Sequence, residues 1–178
     1  MSNSRNIQNI ALIGFMGTGK SSVGRLVADQ FQFRFLDTDE MIEQRAGKTV
    51  GQIFEQDGEE AFRKLEQEIL REIGALKQVV ISTGGGLGAN EANLNSLKEH
   101  ALVVCLWAPP QIVWQRVQNQ THRPLLQTAD RQAKIRELLV QREPVYRQAD
   151  ILVNTEVRSV KEVAQHVGHE FYLATRHR

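Results

Sequence analysis

The chain has 178 residues, of which 41% are hydrophobic and 24% charged, and its formal net charge is +1. That length reads as one domain, 1–178, with a composition ordinary for a globular protein and unlike a disordered or fibrous one. A charge so near zero supplies no global field for nucleic acid or an anionic membrane, so anion binding has to come from local lysines and arginines. The single cysteine, Cys105, rules out a disulfide within the chain, fits a reducing cytosol and reads as a small core residue in "ALVVCLW". The polar start "MSNSRNIQN" lacks the apolar region of a signal peptide, and no apolar run approaches the ~20 residues of a membrane span. The five histidines show no zinc spacing, and His166 and His169 read as solvated. A cytoplasmic monomer without membrane or nucleic-acid partners is the expectation.

In chain order, the first strand is "NIALIG" (9–14), and it ends in the pattern G-x-x-x-x-G-K-[ST] at Gly14, Gly19, Lys20 and Ser21. A helix, "KSSVGRLVADQF", opens directly from that loop, which is the context a phosphate-binding loop requires. Glycines let successive N–H groups turn inward as an anion nest, and the helix start adds unpaired donors. Gly17, Thr18, Gly19, Lys20, Ser21 and Ser22 are therefore the expected nucleotide-phosphate residues. Lys20 reaches the β- and γ-phosphates and the Ser21 hydroxyl ligates Mg²⁺.

The second strand, "FRFLD" (33–37), ends in the "DTD" of Asp37 and Asp39. Residues 38–77 then hold three helices, read as an inserted substrate-binding region, with capping-box spacing at Thr49/Gln52 and its Asp variant at Asp57/Glu60. The third strand, "QVVIST" (78–83), runs into Gly84, Gly85 and Gly86, and Asn90 is a plausible cap for "EANLNSLKEH". The fourth strand, "ALVVCLW" (101–107), precedes "APPQIVWQRV", whose prolines suit a first helical turn. The polar stretch 118–130, containing Arg123 in "THRPLL", reads as a lid. A helix carrying Arg142, the strand "ILVN" (151–154) and a helix capped by Ser159/Glu162 complete the chain. Strands alternating with helices, most of them continuously apolar, indicate an α/β three-layer fold on a parallel sheet.

Ligands bind at the C-terminal ends of strands in such sheets. Asp37 can hold a Mg²⁺-bound water there, and Asp39 can take the proton of an attacking hydroxyl; the alternative is that Asp39 only caps the next helix. Gly84–Gly86 can bring bare backbone N–H groups to a ligand, or make a tight turn. Arg63 and Arg142 can fork onto a carboxylate, or be solvated helix arginines. Arg123 can neutralise charge on a transferring phosphoryl group. Phe54 and Phe62 can pack on a carbon ring or in the core.

Taken in order, "GFMGTGKS", "DTD", "FRKLE", "GGG", "RPLL" and "REPVY" make the chain resemble the shikimate kinase family over nearly its whole length. The resemblance implies a fold like that of nucleoside monophosphate kinases, with a five-stranded parallel sheet in the order 2-3-1-4-5. It implies transfer of the γ-phosphate of ATP, with Mg²⁺, to the 3-hydroxyl of shikimate. By the same resemblance Asp39, Arg63, Gly84, Gly85, Gly86 and Arg142 bind shikimate. Lys20, Ser21 and Arg123 serve the phosphates, metal and lid, and Asp37 places Mg²⁺ through water. Arg116 and the loop "NTEVR" fall near the adenine. A related P-loop kinase acting on gluconate or a nucleoside monophosphate, and a module that only senses ATP, are the competing readings.

Overall fold

The structure is a computed structural model, and it describes residues 5–120, 126 and 128–176. Five parallel strands form one sheet in the order β2-β3-β1-β4-β5. They are β1 (Asn9–Ile13), β2 (Arg34–Asp37), β3 (Val79–Ser82), β4 (Ala101–Trp107) and β5 (Ile151–Asn154). Each lies within a residue of its expected bounds, because a continuous apolar run between polar turns has few other places to go. All five residues of β1, the central strand, are buried.

Alternation along the strands splits the core into two faces. Ile10 and Leu12 join Val80, Val104 and Val153 against α1 (Lys20–Phe31) and α8 (Val160–Arg176). Ala11 and Ile13 join Ile81, Val103 and Cys105 on the other face. That face is covered by α2 (Thr38–Ala46), α3 (Val50–Gln56), α4 (Gly58–Gly74), α5 (Glu91–His100), α6 (Pro110–Val117) and α7 (Arg131–Tyr146). Cys105 is fully buried there, and burial pushes its thiol up to about 12, as expected of a core residue rather than a nucleophile. Phe62 is buried and stacks tilted on Phe54 at 4.7 Å between centroids, so both belong to this core.

Region 38–77 holds the three expected helices, α2, α3 and α4. Thr49 and Gln52 make a complete capping box on α3, and Ser159 and Glu162 cap each other at the start of α8. Asn90 accepts the Asn93 N–H and caps α5. Asp57 departs from expectation. It ends α3 in helical conformation, donating its N–H to Ile53 O, and its carboxylate pairs with Lys48 at 2.7 Å instead of capping α4. A side-chain cap needs an extended residue, and α3 runs into α4 without one. Of the expected lid, 118–120, 126 and 128–130 are described; Arg123 lies outside the described residues.

Candidate active site

Parallel pairing brings the ends of β1, β2 and β3 to one edge, where Asp37 sits beside Ser82 and Leu12 beside Ser82 on the other side. A cleft of about 210 Å³ opens at that edge. It is lined by the loop after β1 (Met16, Gly17, Gly19, Lys20, Ser21, Ser22), by Asp37 and Asp39, and by Ser82, Thr83, Gly84 and Gly85. Two buried polar side chains, Ser82 and Thr83, line it, and Thr18 and Thr38 belong to the segments that do. Buried polar groups need partners: Thr18 has Phe15 O, Thr38 the Gly84 N–H, Ser82 the Ser21 hydroxyl and Thr83 the Leu12 carbonyl.

The loop after β1 is shaped by two constraints. Gly19 takes the left-handed φ of 92° where α1 begins, leaving the first N–H groups of that helix pointing into the cleft. Gly14 has φ 134° and lies so close to β4 that a Cβ would overlap the Leu106 carbonyl. Thr18 Oγ1 donates to Phe15 O at 2.8 Å and Lys20 Nζ donates to Gly14 O and Phe15 O at 2.8 and 2.9 Å. The lysine thus lies folded along the loop from which it projects. Arg116, on α6, donates to Gly17 O at 3.2 Å and to Thr155 Oγ1 and O at 3.0 and 2.6 Å, joining the loop to the turn after β5.

Next to this nest, Ser21 Oγ donates to Asp37 Oδ2 at 2.9 Å and lies 3.2 Å from Ser82 Oγ. Asp37 Oδ1 accepts the Asp39 N–H at 3.1 Å. Asp37, not Asp39, is therefore the cap of α2, and the Asp39 carboxylate sits within the first helical turn, lining the cleft.

The three glycines after β3 each face a different charged side chain. A Cβ at Gly84 would overlap Asp39 Oδ1, one at Gly85 would stand 3.2 Å from Arg142 Nη1, and one at Gly86 would stand 2.6 Å from Arg63 Nη1. A side chain at any of the three would press on those groups, most severely on Asp39. The Gly84 N–H is engaged within the chain, donating to Thr38 Oγ1 at 2.8 Å. Among the described residues no acceptor engages the N–H of Gly85 or Gly86.

The two arginines are held from behind. Arg142 Nη1 donates to Gly85 O at 3.0 Å, and its guanidinium lies 5.4 Å from the Phe15 ring centre. Arg63 Nη1 pairs with Glu66 Oε2 at 2.6 Å, and its Nη2 with Glu59 Oε1 at 2.9 Å. Glu66 is only 1% exposed, and burial raises its carboxyl above the ordinary range against the opposing pull of Arg63. The sequence reading missed Glu66, although "FRKLE" places it three residues from Arg63 on one helix face. It also missed Thr38, Ser82 and Tyr146, whose roles depend on contacts between distant segments.

A family profile described as shikimate kinase matches residues 16–171. A shikimate kinase of Caldanaerobacter subterraneus subsp. tengcongensis is 43% identical over 161 residues, covering 90% of this chain and 94% of its own. A solved shikimate kinase from Acinetobacter baumannii, in complex with shikimate, superposes with a TM-score of 0.89 at 36% identity, covering 98% of this chain and 97% of its own. A gluconokinase from Sinorhizobium meliloti 1021 superposes with a TM-score of 0.63 at 15% identity over 95% and 94% of the two chains, a likeness of fold alone.

Proposed function

Because the chain belongs to the shikimate kinase family, we propose that its cleft transfers the γ-phosphoryl group of ATP to the 3-hydroxyl of shikimate, on the route to chorismate and the aromatic amino acids. One observation carries the reading. Through Gly84–Gly86, a carboxylate and two guanidinium groups meet beside a phosphate-binding loop. A small hydroxy-carboxylate needs that set: positive forks for its carboxylate and an acceptor for its hydroxyl protons. Each charge-assisted bond to such a carboxylate contributes about 1.5–3 kcal/mol.

In this proposal the N–H groups of Gly17–Ser22 and the Lys20 ammonium hold the β- and γ-phosphates. Arg63 and Arg142, with the Gly85 and Gly86 N–H groups, orient the acceptor. Asp39 takes the proton of the 3-hydroxyl as that oxygen bonds to the γ-phosphorus. The bond from that phosphorus to the bridging oxygen breaks, and ADP leaves with the bonding pair. Arg116 and the turn after β5 border the nucleotide.

The oxygen set of Ser21, Asp37 and Ser82 suits a hard cation that keeps several of its waters. We assign Mg²⁺ to Ser21 and, through water, Asp37; when bound it neutralises charge on the phosphate oxygens. The substrate-binding role of 38–77, the lid role of 118–130 with Arg123, and action as a cytoplasmic monomer belong to the same proposal. No described helix is long and apolar enough to cross a membrane.

The test is ADP release from ATP and Mg²⁺ with shikimate, gluconate, AMP or CMP as acceptor. Turnover with shikimate alone is expected. ADP release with another acceptor and none with shikimate refutes the proposal.

A further inference from the structure

Tyr146 ends α7 with its side chain buried, and burial pushes its phenol up to about 12, so the hydroxyl stays protonated and able to donate. It donates to Gly85 O at 3.3 Å, the same carbonyl that accepts from Arg142 Nη1 at 3.0 Å. The positive charge of Arg142 lies close enough to the Tyr146 hydroxyl to oppose, in part, the effect of burial on its phenol. Arg142 and Tyr146 are four residues apart, so both project from one face of α7. Two donors from one helix thus converge on one backbone oxygen.

That oxygen controls more than itself. In a planar trans peptide the C=O of Gly85 and the N–H of Gly86 point in opposite directions. Holding the carbonyl against α7 turns the Gly86 N–H away from it. A glycine-rich loop has no side chains of its own to set that plane, so it must be set from outside. We infer that Tyr146 is a positioning residue of the acceptor site, its hydroxyl locking the Gly85 carbonyl and the Arg142 guanidinium in one geometry before substrate arrives. Substrate then meets an arginine and a loop that need no ordering.

The inference rests on the shikimate kinase reading for its kinetic consequence but not for its structural one. Tyr146→Phe removes the hydroxyl and keeps the ring. The expected result is a KM for shikimate raised about three- to tenfold, the worth of one hydrogen bond, with the KM for ATP unchanged and Tm within about 4 °C of wild type. In an Arg142→Ala background the same change should add little, because the geometry it protects is already lost. Leu138→Ala loosens the buried face of the same helix without touching the carbonyl. It should lower Tm and leave the shikimate KM alone.

Amide hydrogen exchange of the peptide containing 84–89 supplies a readout free of activity, and Tyr146→Phe should raise exchange there. An unchanged shikimate KM, full additivity with Arg142→Ala, or an equal KM rise in Leu138→Ala overturns the inference. If the wild type fails to phosphorylate shikimate, the functional reading falls and exchange alone decides: unchanged protection at 84–89 overturns the positioning role, and loss of protection upholds it.

Discussion

The most informative residues are Gly84, Gly85 and Gly86, because each marks the place of a different side chain. A Cβ on Gly84 overlaps Asp39 Oδ1 directly. Gly84→Ala should therefore displace the proposed base without touching the loop after β1. Turnover should fall by about 10²-fold or more, the usual worth of a general base, while fluorescence titration shows ATP binding intact. Asp39→Asn should match it; normal kcat in either variant removes Asp39 as the base. Gly85→Ala meets the flexible end of Arg142 instead, so its cost should fall on the shikimate KM. The glycine run was conspicuous in the sequence, but its reason was not, since Asp39 and Arg142 lie more than a hundred residues apart with Arg63 between them. "DTD" was ambiguous for a related cause. Asp is a good cap at either position, and only the backbone shows Asp37 taking that role.

At the scale of elements, strands and most helix starts were legible because both are local. Buried parallel strands are continuous apolar runs, and a capping box is satisfied within four residues. Asp57/Glu60 has that spacing and fails, because the α3–α4 junction has no extended residue to act as a cap. The two sites make a direct contrast. Thr49→Ala breaks a complete box and should cost about 1 kcal/mol of unfolding free energy. Asp57→Ala loses only an exposed pair with Lys48, and should stay within about 0.5 kcal/mol. Urea denaturation of both variants checks this; equal losses would mean that Asp57 caps α4 after all. The donor half of the cleft follows the same rule, being one contiguous stretch from Gly14 to Ser22. The proposed acceptor half needs α2, α4, α7 and the loop after β3 together, and only the assembled fold supplies it.

Across the whole molecule, chemistry and stability occupy opposite ends of the sheet. The C-terminal ends of the strands carry the cleft. At the other end a polar cluster joins their starts. Buried Asn9 accepts from the Val79 N–H at 3.1 Å, donates to Leu76 O at 2.8 Å and lies 3.0 Å from His100 Nδ1. Nearby, Asp150 accepts from Arg5 at 2.6 Å and from the Val103 N–H at 2.8 Å, tying the region before β1 to β4. Since Asn9 presents its amide N–H₂ to Nδ1, that nitrogen must be the acceptor and the imidazole neutral. Burial lowers the His100 pKa below its ordinary 6.5, outweighing the opposite pull of Glu99. Unfolded, His100 takes up a proton as pH falls through its ordinary value; folded, it resists until lower pH. Over that window the unfolded chain binds more protons, so stability drops as pH falls. Denaturant unfolding at pH 7.5 and 5.5 should show this loss. His100→Gln, neutral in both states, should show a shallower one. An unchanged pH slope in that variant would place the titrating group elsewhere. Because the cluster lies across the sheet from the cleft, the substitution should leave the pH profile of kcat/KM where it was, separating the proton that destabilises the fold from the one proposed to pass to Asp39.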